Sequence, residues 1–322
     1  MAEFRKLLAV IDPTSEQQPA MERAAWLAGQ TGARLELFVC YYNQYLSGDR
    51  FFDSRGLKEA REETLEHFRS RLEEFAGKLR GEGLEVTTDA AWDNPLHEGI
   101  VRKAVGTGAD VVFKDTHYHK PAARVIFTNT DWNLIRTCPV PLWLVKPGGN
   151  WEDDIRYLAA VDPLHEHEKP AALDDQIINT AKRLAGASGG EVHTFHSYDP
   201  IIAVADAANS TFVPVTLPVE ELEAKMHERH REHFNELLEF HGLSARTAHL
   251  IPGRTQEVLP ALARDVEASV VIMGAVARNR LKRIFIGSTA EQVMDNLPCD
   301  LLVLKPAWFE TPVHLERKRS TD

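Results

Sequence analysis

The sequence predicts an α/β protein of two tandem domains, each a five-stranded parallel sheet with helices on both faces. Three observations carry that prediction. Residues Val111 to Pro147 and Val270 to Pro306 align without a gap at a constant offset of 159, so the chain is a duplicated unit. Each half opens on an apolar run that ends in the same dipeptide, Leu7 to Ile11 before Asp12-Pro13 and Tyr157 to Val161 before Asp162-Pro163. Apolar runs and amphipathic stretches then alternate along each half, the order that builds a parallel sheet through helical crossovers.

The elements follow in order. After the first strands, helical patterns cover Gln18 to Thr31 and Leu173 to Ser188, with Gly32 and Gly189 placed as stops. Second strands run Arg34 to Tyr41 and Glu191 to Tyr198, and long amphipathic helices run Leu57 to Arg80 and Val219 to Phe240. Leu84 to Ala90 and Ala245 to Ile251 alternate as third strands, and third helices cover Leu96 to Val105 and Thr255 to Val266. Fourth strands are Asp110 to Lys114 and Ser269 to Met273; after a loop and a short helix, Pro141 to Val145 and Asp300 to Leu304 are the fifth. The pattern breaks at Lys146 to Asp154, which contains Pro-Gly-Gly-Asn. The domains therefore read as 1–149 and 150–306, with a charged tail over 307–322 that packs only in part.

Composition narrows the function. At 322 residues there is material for two Rossmann-like domains of about 150 residues each. A net charge of -11 argues against nucleic acid as a partner, since binding by counterion release needs clustered Lys and Arg. The start MAEFRKLLAVID runs straight into a strand, and no stretch reaches about 18 apolar residues, so the expectation is a cytoplasmic protein with no membrane partner. Cys40, Cys138 and Cys299 are widely spaced and odd in number, which suits buried thiols rather than a disulfide framework.

The candidate site lies in the second copy. Gly274-x-x-Ala277, nine residues, then Gly287-Ser288-Thr289 fall between the fourth strand and the helix expected from about Ser288. Glycine lets the backbone approach a phosphate, a helix N-terminus offers unpaired N–H groups, and Ser288 and Thr289 add hydroxyl donors. Arg278 to Arg283 supply cations between them. The spacing is neither the Gly-Lys-Ser/Thr phosphate loop nor the dinucleotide fingerprint. A turn glycine followed by an N-cap would give the same residues. The first copy has Asp115 where Gly274 stands, Tyr118 at the Ala277 position, and Thr128-Asn129 at Gly287-Ser288. Negative charge and bulk there should reject a triphosphate.

On these residues the chain resembles the universal stress protein family, whose ATP-binding members carry Gly-x2-Gly-x9-Gly-Ser/Thr after strand four. The resemblance covers nearly the whole chain and implies an adenine nucleotide alpha hydrolase-like fold in both domains. Supporting stretches include Val125 to Thr128 with Thr130-Asp131-Trp132, and Gly287 to Val293 through Cys299 to Val303. It maps nucleotide contacts onto Ala160, Val161 and Asp162, Ser197, Gly274, Ala277, Gly287, Ser288 and Thr289. Ala277 replaces the motif's middle glycine, a strain of about 1 kcal/mol or more if that position needs positive φ and a mild change otherwise. In tandem members of this kind the first domain lacks the nucleotide loop, as Asp115, Tyr118 and Thr128 do here. The implied cofactor is ATP or AMP, with Mg an optional companion, and the implied role is that of a regulator or sensor in the stress response. Single-domain relatives dimerise through the fifth strand, so an intramolecular domain pair through the two fifth strands is expected, in a chain that is monomeric or dimeric.

No nucleophile elbow, His-Glu-x-x-His motif or Walker lysine is present, so no catalytic residue is assigned and any ATPase activity would be slow. His227, His230 and His233 are three apart on a helix and read as a solvated face; with His117, His119, His165 and His167 they give no metal site that sequence can assemble. The apolar stretches Ile201 to Ala205 and Phe212 to Leu217 suit either a pocket for a lipid-like small ligand or a flap over the domain's own core. Trp92 and Trp132 read as packing residues.

Overall fold

The computed structural model describes residues 4–47, 55–119, 124–126, 128–148, 151, 153–164, 172–200, 218–275, 293–294 and 296–316. The chain divides into two compact units: the first runs to Gly149 and takes in the tail from Trp308, and the second lies between Asn150 and Ala307.

In the first unit the strands are β1 (Lys6–Val10), β2 (Arg34–Tyr41), β3 (Val86–Trp92), β4 (Val111–Asp115) and β7 (Leu142–Val145), with a ribbon β5 (His117–His119) and β6 (Arg124–Ile126) between the last two. The helices are α1 (Pro19–Thr31), α2 (Arg55–Gly81), α3 (Leu96–Thr107) and α4 (Asn129–Thr137). The main strands pair in parallel in the order β3-β2-β1-β4-β7. In the second unit β8 (Arg156–Ala160), α5 (Ala172–Ser188), β9 (Glu191–Tyr198), α6 (Val219–His241), β10 (Ala248–Pro252), α7 (Thr255–Asp265), β11 (Val270–Gly274) and β12 (Asp300–Leu304) repeat the plan, with strand order β10-β9-β8-β11-β12. Strand order therefore reverses beside β1 and β8, and the carboxyl edge there is where parallel sheets hold ligands. The offset of 159 holds in the ladders: Val112 pairs with Leu142, and Val271 with Leu301.

The interior strands are buried on both faces, which is why they read as unbroken apolar runs; Leu7, Leu8, Ala9, Val112 and Phe113 have no exposed surface. The crossover helices add Ala24, Leu27 and Ala28 from α1 and Ile178, Ala181 and Leu184 from α5. Gly32 and Gly189 end those helices with φ of 70° and 75°, a conformation that side chains with a Cβ resist. All three cysteines are buried thiols.

The third strands start later than their alternation predicts, because capping takes their first residues. Leu84 N–H donates to Leu79 O at 3.2 Å, finishing α2, so β3 begins at Val86. Ser244 caps a short 3-10 turn over Ala245–Thr247 by accepting from Arg246 N–H, so β10 begins at Ala248. The loop expected after the first copy's fourth strand contains the antiparallel ribbon of β5 and β6, three residues a side with Tyr118 opposite Val125. The tail folds with the first unit: Val313 is buried, Thr311 Oγ1 donates to Thr137 O at 2.7 Å, and Arg102 donates to His314 O at 3.1 Å.

Candidate functional site

In the second unit the ends of β8, β9 and β11 converge on the carboxyl edge. Ala160, the last residue of β8, pairs with Phe195 on one side and Met273 on the other. Val161 is buried and its N–H donates to Phe195 O at 2.9 Å; Asp162 follows with its side chain exposed and its N–H donating to Asp174 Oδ1 at 3.2 Å. At the end of β9 the Ser197 hydroxyl lies 2.8 Å from that of Thr255, the first residue of α7. Gly274 ends β11, and Ala275 N–H donates to Leu304 O at 2.9 Å. A Cβ on Gly274 would lie 2.5 Å from Leu173 Cδ2, so the leucine in the opening turn of α5 packs against this glycine and would have to shift to admit a side chain. Ala277, Gly287, Ser288 and Thr289 lie outside the described residues, as do residues 201–217, His165 and His167.

The matching edge of the first unit is filled by its own polar groups. Asp115, at the Gly274 position, is 8% exposed, and its Oδ1 accepts from Ala20 N–H at 2.6 Å in the first turn of α1. A carboxylate thus already holds that helix N-terminus, with Asp115 Oδ2 unpartnered among the described residues. Burial raises the Asp115 carboxyl to about 7, with Ala20 N–H and Lys114 pulling it down and Asp12 and Glu22 pushing it up. Gln18 occupies the backbone at the end of β1: Asp12 N–H donates to Gln18 Oε1 at 3.1 Å, and Gln18 Nε2 donates to Asp12 O at 2.8 Å.

Thr128, at the Gly287 position, starts α4 with a capping box. Its Oγ1 accepts from Asp131 N–H at 3.2 Å, and Asp131 Oδ2 accepts from Thr128 N–H at 2.7 Å. Asp131 has no exposed surface, and its Oδ1 pairs with Lys114 Nζ at 2.7 Å. The Thr128 N–H and hydroxyl are thus turned onto Asp131, and the Asp131 N–H onto Thr128.

The histidines of α6 are not one solvated face. His230 Nδ1 lies 2.7 Å from His196 Nε2, and His227 Nδ1 lies 2.7 Å from the Tyr198 hydroxyl. Of the three, His233 keeps to its own helix, its Nδ1 2.9 Å from Arg229 O, at a half-buried position. No group of three or more His, Cys, Asp or Glu among the described residues is arranged to hold a metal ion. Trp92 packs edge-on against Tyr41 and Tyr42. No helix among the described residues is long and apolar enough to cross a membrane.

The universal stress protein family model matches residues 3–146 and again residues 159–305. The chain belongs to the universal stress protein family. It is 30% identical over 322 residues to universal stress protein E of Escherichia coli K12, covering 98% of each chain. Against universal stress protein E of Photorhabdus laumondii it is 27% identical over 318 residues, covering 97% of this chain and 98% of that one. Among solved structures, a universal stress protein from Pseudomonas aeruginosa UCBPP-PA14 matches with a TM-score of 0.72 and 28% identity over 94% of both chains. A universal stress protein from Archaeoglobus fulgidus shares the fold at a TM-score of 0.64 and 17% identity, covering 94% of this chain and 98% of that one.

Sequence reasoning did not single out His196 or Asp174. Their roles depend on partners in other elements, which spacing along one helix or strand does not reveal. Setting the copies side by side gives one signal: Ile11 N–H donates to Phe38 O as Val161 N–H does to Phe195 O, so His196 occupies the place of Val39. An imidazole stands where the first copy has a buried valine.

Proposed function

We propose that the second unit binds ATP or AMP beyond the carboxyl ends of β8, β9 and β11, and that the protein acts as a stress-response regulator or sensor through that nucleotide. The observation that carries this reading is the contrast between the copies. The first unit fills the edge with Gln18, Asp115 and Asp131, whereas the second has the exposed Asp162, the Ser197 hydroxyl and side-chain-free Gly274. The residues fit a nucleotide's chemistry. An exposed carboxylate accepts from ribose hydroxyls or an exocyclic amine, and a hydroxyl at a strand end reads a base edge. The Gly287-Ser288-Thr289 stretch would hold phosphate through backbone N–H groups and hydroxyls, as the family motif implies.

The reading predicts that the full chain retains ATP in equilibrium dialysis and that Gly287→Asp, which brings the acidic character of the first copy into the loop, weakens retention at least 100-fold. Equal retention by the two proteins would remove the loop from the site. Phosphate release in the same samples separates a binder from a slow ATPase.

A further inference from the structure

The peptide group that carries Asp162 is held at both ends, and only one end is explained by the site as described. Its N–H, from Asp162, donates to Asp174 Oδ1 at 3.2 Å. Its oxygen, from Val161, lies 3.1 Å from His196 Nδ1. A carbonyl only accepts, so His196 carries its proton on Nδ1 and, being neutral, presents a lone pair at Nε2. That lone pair lies 2.7 Å from His230 Nδ1, which must then carry a proton too. The result is a directed relay from α6 through β9 to the end of β8. His196 is 1% exposed, so the relay runs through the interior.

The first copy has the same frame without the relay. Phe68 of α2 meets the Tyr41 ring at 4.9 Å, as His230 of α6 stacks on Tyr198 at 4.5 Å. Val39 and Phe68 thus stand where the second copy has His196 and His230, so packing alone does not require imidazoles there. Buried polar pairs are expensive relative to such apolar residues. The second copy carries one at the strand end that precedes Asp162.

We propose that His196 and His230 are positioning residues for the second unit's nucleotide site, fixing the Val161–Asp162 peptide so that the Asp162 carboxylate meets the ribose or base. This rests on the nucleotide reading above. The groups facing the pair are Asp162 from the end of β8, Tyr198 on β9, and His227, Arg229, His233 and Phe234 on α6, with Glu223 acting on Tyr198. Burial holds both imidazoles below the ordinary histidine value, His230 at about 4 with His196 beside it adding to the effect and Asp162 opposing it. Both rings are therefore neutral near pH 7, as the relay requires.

The test uses the full chain. Histidine 15N spectra without nucleotide should show both rings neutral and in the Nδ1–H tautomer at pH 7; an Nε2–H tautomer at His196 overturns the relay. ATP titrations then compare wild type with His196→Val, His230→Phe and the double variant, which carry the residues of the first copy. The double variant leaves no imidazole unpaired and serves as the folded control. Each should bind about tenfold more weakly, and the double no more weakly than His196→Val alone, because His230 acts through His196. Wild-type binding that none of the substitutions alters overturns the positioning role and leaves the nucleotide reading standing. Absence of wild-type binding overturns the nucleotide reading and the role together.

Discussion

Replacing Asp131 with alanine should cost the first unit about 3–5 kcal/mol. The substitution removes a carboxylate with no exposed surface, one side of the α4 capping box, and the partner of Lys114, whose side chain is 12% exposed. An ammonium left in that place keeps the Asp115 carbonyl at 2.9 Å but loses the buried carboxylate it is paired with, and that lost pairing dominates the loss. The surface pairs along α2 are different. Arg55 with Glu59, 2.7 Å apart, is solvent-exposed on both sides and falls in the class worth about 0–1 kcal/mol. Urea unfolding of the full chain, followed by amide exchange in β1 and β4, measures the change. Replacing Lys114 with methionine in the same chain should recover much of the loss, because the pair is then removed rather than halved. A loss below about 1 kcal/mol for Asp131→Ala would mean that Lys114 finds water or another anion instead.

The second large effect is a pH dependence that belongs to Asp115. Its carboxyl titrates at about 7 in the folded chain against an ordinary 3.8. The raised value means that the folded state holds the proton more tightly than the unfolded chain. The resulting stability is fully present below about 3.8 and is lost as pH rises through 7. By linkage the swing is at most about 4 kcal/mol across that window. Asparagine keeps an acceptor for Ala20 N–H and carries no charge, so Asp115→Asn should flatten the slope between pH 4 and 7. At pH 8 the variant should be the more stable protein. Thermal unfolding of both proteins from pH 4.5 to 8 decides it; parallel curves would show that Asp115 titrates as an ordinary carboxyl.

Both effects arise where the first copy departs from the second, and the sequence made that departure legible before any geometry. A gapless offset of 159 requires β4 and β11, and β7 and β12, to share a register, and they do. Strands buried on both faces announce themselves as apolar runs, so Asp300–Leu304 falls on the predicted residues, and Arg34–Tyr41 and Glu191–Tyr198 do so too although polar residues interrupt them. Alternation was a poorer guide at strand starts, where Leu84 and Ala245 are claimed by capping. The three-residue strands of the β5 and β6 ribbon are too short for any periodicity to register.

At the site, the substitution of Asp115 for Gly274 was visible, but its meaning was not. Sequence suggested a charge that repels phosphate. The structure adds that the Asp115 carboxyl itself accepts from the N-terminus of α1, while Gly274 meets Leu173. The imidazole relay was hidden for a related reason. His196 and His230 are 34 residues apart in the chain and on different elements, so only the fold brings their nitrogens to 2.7 Å.

The central claim is that one copy keeps a nucleotide site and the other has closed its own. Calorimetric titration of ATP into the full-length protein tests it most directly. The account predicts saturation at one nucleotide per chain, with heat that disappears in Gly287→Asp and persists in Asp115→Asn. Saturation at two per chain, or no binding at millimolar ATP, would contradict it.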